Sequence, residues 1–439
     1  MKKIIVVIIV CMIIISGMFM YNKSDKKDLL EDSSGPIIAA VIDGKASTTF
    51  PTTNKYNASV ECTRNGKKID ANESITWNGT KWILTTAISD GNVRCNAIFR
   101  TLTFAETILA NNEVKAPITT PGAAISTADE ALLASAEDDN GTSYYFRGAV
   151  INNYVEFANK CWRIVRVGGD GSVKLILHND NTAGVANPCS SANNSTDAAF
   201  ARYSGSTYTS EFNENYYDNA YVGFKYGTPG SSTYAATHEN TNKSKILTNL
   251  ETWYTNNLAS YESKLADTIW CNDKSTFTTY TSGSTYGTGL GYGTNKTGYG
   301  AYNRIYGSNA ASYASPSLIC PNDNNGGKLS KFTVKDTTNG NGNLTYKIGL
   351  LTADEIAFSG SKYATFNRST YLQENAANTW CSLSPYFFSG DYAGVWSVGS
   401  GYLGVVGVYI GSHLRPAISL ISSTNVTGDG TSEDPYVVD

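Results

Sequence analysis

The sequence predicts an α+β fold: a large mixed domain preceded by a small all-β sandwich and an N-terminal membrane-anchor helix. Three observations carry this. Apolar positions alternate around Gly turns between Ile37 and Phe99 and again between Trp380 and Leu420, the period-2 pattern of strands. Between these regions, Ile246, Leu250 and Trp253 fall on one face at helical spacing, continued by Leu258. Strands before, helices in the middle and strands at the end indicate segregated α and β elements.

Residues 1–21 read as the anchor. Lys2 and Lys3 precede an uncharged run from Ile4 to Tyr21 dominated by Ile, Val and Met, near the minimum length for a membrane span. No A-x-A cleavage site follows, and Cys11 comes after Val10 where a lipobox needs a small residue. The run therefore reads as an uncleaved anchor, with a cleaved secretory signal as the alternative. Localisation follows: a single-pass protein of the cell membrane with an extracellular C-terminal region, secreted if the signal is cleaved. Residues 22–34 make a charged tether.

Residues 35–103 read as strands at Ile37–Ile42, Val60–Cys62, Ile75–Trp77, Lys81–Leu84 and Val93–Phe99, with turns at Asn65-Gly66, Asn78-Gly79 and Asp90-Gly91. Cys62, two tryptophans and Cys95 suggest a small immunoglobulin-like sandwich pinned by one disulfide. So short a stretch buries little core by itself, which gives the staple a structural reason. Residues 104–140 read as a connector with short helices over Phe104–Asn111 and Ala128–Ala136, broken between them by Pro117 and Pro121.

The large domain spans 141–421, followed by a C-terminal tail, 422–439. It opens with strands at Tyr144–Ile151, Lys160–Val167 and Val173–Leu177, the last two joined by a Gly168–Gly171 turn. Ala198–Gly230 is rich in Tyr, Ser and Asn and reads mostly as loop. Ser275–Ser308 is a low-complexity Tyr/Gly/Thr/Ser excursion, either a surface insertion or a second contributor to a binding face. Thr352-Ala353-Asp354-Glu355 is a capping box whose short helix Gly360 closes.

The net charge is −4, and only 16% of residues are charged, against 29 tyrosines, 15 phenylalanines and 7 tryptophans. That leaves no electrostatic footprint for nucleic acid. Beyond the anchor, sequential spacing pairs Cys62 with Cys95, Cys161 with Cys189 and Cys271 with Cys320, as suits an oxidising exterior, and leaves Cys381 alone. No C-x-x-C occurs, and His178, His238 and His413 are isolated, so neither a zinc site nor any cofactor is expected.

Function is written most clearly in Trp380–Leu420. Its frame is apolar: Leu383, Pro385, Val395, Trp396, Val398, Leu403 and Arg415-Pro416-Ala417-Ile418-Ser419-Leu420. The filling is Tyr, Ser, Gly, Asp, Val, Ile and His in no fixed order, the composition of a binding face and not of an active site. The expected contacts are Phe387, Ser389, Asp391, Tyr392, Ser397, Tyr402, Val405, Tyr409, Ile410 and His413. Asp354 and Glu355 are explained by helix capping, and Arg415 is expected to pair with a carboxylate in the core. No catalytic set is expected.

W-x-S-L-S-P at Trp380, A-x-V-W-x-V-x-x-G-x-L at Ala393 and R-P-A-I-S-L at Arg415 resemble the C-terminal signature of uncharacterised bacterial surface proteins. Tyr144-Tyr145-Phe146-Arg147-Gly148, Cys161–Arg166 and Gly349–Glu355 fit the same resemblance. That domain is similar to the C-type-lectin-like group that includes the formylglycine-generating-enzyme fold. The resemblance implies a lectin-like large domain and an adhesin-like protein that binds an extracellular glycan, peptide or protein. An extracellular enzyme acting on cell-wall or other polymer, and a purely structural surface-layer protein, are the alternatives. The enzyme of that fold needs a reactive cysteine pair, and Cys381 has no neighbour for one. Trp270-Cys271-Asn272-Asp273 is similar to the Trp-Asn-Asp calcium motif of true lectins, but the inserted cysteine breaks it. The resemblance also implies that the filling between Tyr386 and Leu414 is diversified by adenine-directed mutation of Asn codons, with drift under fold constraints as the alternative. Of the types that route cannot reach (Lys, Glu, Gln, Met, Trp), the tract holds only the frame residue Trp396.

Overall fold

The computed structural model describes residues 37–70, 72–87, 92–121, 130–203, 206–277, 290–305, 315–323, 327–366, 369–399 and 401–438. It divides into two units, Met1–Leu102 and Thr103–Asp439. The expected anchor, the tether, the Asp90-Gly91 turn and, within the 275–308 excursion, residues 278–289 and 306–308 lie outside the described residues. Among the described residues no helix is long and apolar enough to cross a membrane.

The first unit is all-β: β1 Ile37–Ile42, β2 Lys45–Ser47, β3 Tyr56–Arg64, β4 Lys67–Ile69, β5 Ser74–Trp77, β6 Trp82–Thr85 and β7 Val93–Thr101. Five strands form one sheet in the order β2-β1-β7-β3-β4, with β1 parallel to β7. The central strands alternate buried and exposed residues, as a sheet covered on one face requires. The Asn65-Gly66 turn has φ of 51° and 75°, the left-handed pair that a two-residue hairpin loop needs. The hairpin β5–β6 lays Ile75, Trp82 and Leu84 against Ala97 and Phe99, with the Trp82 ring 5.4 Å from Phe99. The disulfide corrects the immunoglobulin-like expectation. Cys62 and Cys95 are directly opposite on neighbouring strands, Cα atoms 4.1 Å apart, so the bond rivets one sheet and does not bridge two.

The second unit starts with α1 Phe104–Asn111, where the sequence places it. Thr103 caps it: its hydroxyl accepts from Glu106 N, and Glu106 returns a carboxylate oxygen to Thr103 N at 2.8 Å. There follow β8 Ala131–Asp138, β9 Gly141–Gly148, β10 Tyr154–Phe157, β11 Lys160–Val167 and β12 Val173–Asn179. The Ala/Leu-rich run around 131 is thus a strand and not the expected helix. An eight-pair register with β9, Ala131↔Gly148 through Asp138↔Gly141, overrides its helical propensity. Gly148, at φ 83°, is required there, because a Cβ would meet the Glu130 carbonyl oxygen at 1.4 Å.

One short ladder comes next, β13 Arg202–Tyr203 with β14 Ser206–Thr207, and then β15 Thr209–Ser210, which pairs later in the chain. A further ladder joins β16 Lys225–Tyr226 to β17 Asn242–Lys243 around α2 Tyr234–Thr237. The predicted amphipathic helix is α3 Lys245–Asn257, capped by Ser244, with Ile246, Leu250 and Trp253 buried. Then come β18 Trp270–Cys271, β19 Thr297–Gly298, α4 Gly300–Ile305 and β20 Lys331–Phe332. Helix α5 Ala353–Phe358 carries the predicted Thr352–Glu355 capping box and ends at Gly360, φ 110°.

The final third supplies β21 Trp380–Phe388, β22 Ala393–Gly399, β23 Tyr402–Gly407, β24 Ser412–His413, β25 Ala417–Leu420, β26 Val426–Thr427 and β27 Tyr436–Val438. One sheet runs β25-β12-β11-β10-β27-β26, with β9 and β8 continuing from β11; the other runs β15-β24-β21-β22-β23. One continuous core joins both sheets and the helices. Two expected boundaries change. The connector contributes α1 and β8. The tail contributes β27, parallel to β10, whose buried Tyr436 lies 5.2 Å from Phe104 and accepts a hydrogen bond from Asn111. All three expected disulfides form, and Cys381 is buried and unpaired.

Candidate binding face

The antiparallel meander β21–β22–β23 builds the floor of the face, and glycines make it flat. A Cβ on Gly407 would meet the Tyr409 ring at 2.7 Å, one on Gly404 the Tyr402 ring at 2.9 Å, and one on Gly394 the Phe387 ring at 3.0 Å. Each ring therefore lies on bare backbone, the arrangement by which an aromatic covers a glycine in a sheet. Tyr402 and Tyr409 keep their outer surfaces in solvent at 38% and 40% exposure; Phe387, at 5%, does not.

A second segment completes the face. Asn213 N donates to Val408 O (3.0 Å) and Ala393 N donates to Tyr216 O (2.8 Å), so residues 213–216 cross the end of β22. This sets Tyr216 between two rings, 3.8 Å from Tyr217 and 4.3 Å from Tyr409 by centroids, and the Tyr217 hydroxyl donates to the Tyr216 hydroxyl. That contact raises the Tyr216 phenol above its usual pKa. Tyr409 meets Tyr392 edge-on at 6.4 Å, and Tyr392 meets Phe387 at 5.3 Å. The result is a continuous run of rings, Tyr217–Tyr216–Tyr409–Tyr392–Phe387, open to solvent at all but its Phe387 end. Mutual stacking holds the rings in place before any ligand arrives.

The ten residues expected as contacts fall into distinct groups. Tyr392 and Tyr409 belong to the ring run, and Ile410 follows with 42% exposure. Ser389 holds the β21–β22 turn, its hydroxyl accepting from Asp391 N and Tyr392 N at 3.2 and 3.1 Å, and Asp391 is exposed at the tip. Tyr402 and Val405 are exposed on the edge strand β23, outside the ring run. Phe387 and Ser397 are buried: both β21 and β22 are enclosed almost throughout, Phe387 against the Tyr392 ring and Ser397 opposite Gly404, where the Tyr402 ring also lies. His413 is half-buried with its ring 4.6 Å from Phe200, and its backbone N donates to Thr379 O. Burial corrects Phe387 and Ser397 as expected contacts, while His413 keeps part of its surface in solvent. Tyr216 and Tyr217 were not expected. Their segment has no periodicity, and only the Tyr doublet beside buried Phe212 could have marked it.

The other polar concentration surrounds α5. Arg304 forks onto both oxygens of Asp354 at 2.8 Å and reaches Asp273 at 2.8 Å. Glu355 accepts from Lys174 (2.6 Å), Arg166 (3.1 Å) and Thr352 N (3.0 Å), and Arg166 also donates to Asp138 (2.6 Å). Burial alone would raise the Glu355 carboxyl, but Lys174 and Arg166 hold it down to about 2. These groups answer one another, as capping and ion pairing require. Asn272 and Asp273 are likewise engaged internally: Asn272 donates to Leu383 O, and Asp273 accepts from Arg304 and Ser275. Arg415 corrects its expectation: it donates to the carbonyls of Leu177 (3.0 Å) and Leu372 (2.6 Å), against the Trp380 ring, and pairs with no carboxylate among the described residues. Comparison with protein-family models, curated proteins and solved structures returns no match to this chain.

Proposed function

We propose that this chain is an adhesin-like recognition protein of the cell exterior, binding an extracellular glycan, peptide or protein through the Tyr217–Tyr216–Tyr409–Tyr392 face. In this reading the large domain is lectin-like and residues 1–21 hold the protein at the membrane. The observation that carries the reading is the ring run itself. Large exposed aromatics are concentrated at one place on a glycine floor, where desolvating them supplies affinity at little entropy cost. Three disulfides support an oxidising exterior. Ser389, Asp391 and Glu214 lie nearby as polar groups that orient a ligand.

The test is an array of immobilised oligosaccharides, peptidoglycan fragments and extracellular proteins probed with the purified ectodomain. Tyr216→Ala together with Tyr409→Ala should weaken any captured ligand by about 30-fold, the equivalent of a roughly 2 kcal/mol hot spot. Unchanged capture by the doubly substituted chain would place recognition elsewhere.

A further inference from the structure

Lys274 is fully buried, the most enclosed of the four buried lysines among the described residues of this unit; like Lys225, which donates to Asn343 Oδ1, it meets an asparagine carboxamide. Lys160 and Lys174 each meet a carboxylate, Asp180 and Glu355, at 2.6 Å. The Lys274 ammonium has no such ion pair among the described residues. Its Nζ donates to Asn240 Oδ1 at 2.7 Å, lies 3.4 Å from Lys225 O, and sits over the Phe332 ring at 5.3 Å. A buried cation without a direct ion pair is costly, and the amine answers by giving up its proton. Burial lowers the Lys274 pKa to about 7. An appreciable fraction is therefore the neutral amine, a nucleophile.

Asn240 is fixed to receive it. The residue is 2% exposed, its Nδ2 donates to Leu329 O at 2.8 Å, and its backbone is left-handed at φ 63°. The amide oxygen is thereby turned to the lysine, and the carbonyl carbon lies one bond beyond the contact. Two buried titratable groups are near enough to interact electrostatically with Lys274. Asp323 is buried and its charge acts on Lys274. His238 is buried, with Nε2 at 2.8 Å from Gly291 O; that contact puts the ring proton on Nε2 and leaves Nδ1 as a lone pair without a partner.

We propose that Lys274 and Asn240 join in an intramolecular amide cross-link. The Lys274 Nζ–Asn240 Cγ bond forms and the Cγ–Nδ2 bond breaks. The proton lost by Nζ passes to the departing nitrogen, which leaves as ammonia, so no oxidant or co-reactant enters. Asp323 and His238 are the groups placed to carry that proton. The product replaces a buried amine by an uncharged amide and ties the segment after β18 to the segment after α2.

The experiment is peptide mapping of the folded, full-length chain after denaturation, reduction, alkylation and tryptic digestion. The expected result is one branched peptide joining residues 226–243 to residues 265–296, lighter than their sum by one ammonia. Asn240→Asp should give a branched peptide of identical mass, since water then leaves instead; Asn240→Ala and Lys274→Ala should give none. Asp323→Asn and His238→Gln should each be read for slower accumulation, and the slower one is the proton carrier. Full recovery of linear 226–243 and 265–274 from the wild-type chain would overturn the proposal, whether or not any variant folds.

Discussion

Glu355→Gln should be among the most damaging near-isosteric substitutions in the large unit. Glu355 is 4% exposed and serves Lys174 and Arg166 while capping α5 through Thr352 N. Glutamine keeps the volume and can still accept from Thr352, so the helix cap survives. Arg166 keeps Asp138 at 2.6 Å. Lys174 keeps the Trp270 ring, 4.8 Å away, and the more distant charge of Asp138, but loses its ion-paired carboxylate, which costs about 3–5 kcal/mol. The pKa of Glu355 gives an independent figure. A carboxyl held at about 2 against an ordinary value of 4.5 is worth roughly 3 kcal/mol by linkage. That is an upper bound, because burial pushes the Lys174 ammonium downward and offsets part of it. The sign follows from a depressed acid: the contribution is whole above pH 4.5 and disappears as pH falls toward 2. Denaturant unfolding at neutral and acid pH should show a lower midpoint for Glu355→Gln and a flatter pH dependence between these limits. Adding Lys174→Met should restore much of the loss, since it removes the stranded cation. A variant that unfolds with the wild-type midpoint and the wild-type acid dependence would mean the network contributes nothing net.

Within the binding tract, Phe387→Ala should lower stability by about 3–5 kcal/mol, while Tyr402→Ala should change it by less than about 1, as read by the same unfolding curves. Cys381 should resist alkylation in the native state and react fully once unfolded, because burial pushes its thiol up to about 11; rapid labelling of the folded chain would contradict its place in the core. Removing the Cys62–Cys95 bond, which spans 33 residues, should cost about 4 kcal/mol on the chain-entropy estimate and selectively expose residues 37–102 to protease.

Local chemistry made much of this fold legible. Thr103 and Thr352 each stand three residues before a glutamate, and both helices start there. Asn65-Gly66 forces its hairpin, and cysteine spacing gives all three bonds. What failed depends on partners remote in sequence or on choosing between two patterns. Ala131–Ala134 has helical composition, but β9 claims it as a strand. Cys62 and Cys95 gave their pairing but not whether the bond lay within or between sheets. Arg415 looked like half of an ion pair, yet its acceptors are carbonyls from residues 177 and 372. On the face, composition found Tyr392 and Tyr409, but the rings that complete it come from residues 216 and 217, brought in by two backbone hydrogen bonds.

Burial also divides the filling of Trp380–Leu420 in a way that composition did not. Asp391, Tyr392, Tyr402, Val405, Tyr409 and Ile410 stand on the surface, where replacement leaves no cavity. Phe387 and Ser397 share their chemistry but are inside, where a change of size is felt as a void or a clash. If the tract is a diversified face, selection for a folded product must therefore act unequally on residues that mutation treats alike. Sequencing the gene from many isolates tests this. Substitutions should concentrate at the six exposed positions, in codons ending in C or T, and should be scarce at Phe387 and Ser397. The glycines at 394, 404 and 407 should be as invariant as the core, since each added Cβ would lift a ring from the floor. Equal variation at buried and exposed positions would leave no role for this sheet as a scaffold. Uniform constancy across all of them would instead fix the tyrosines to one ligand.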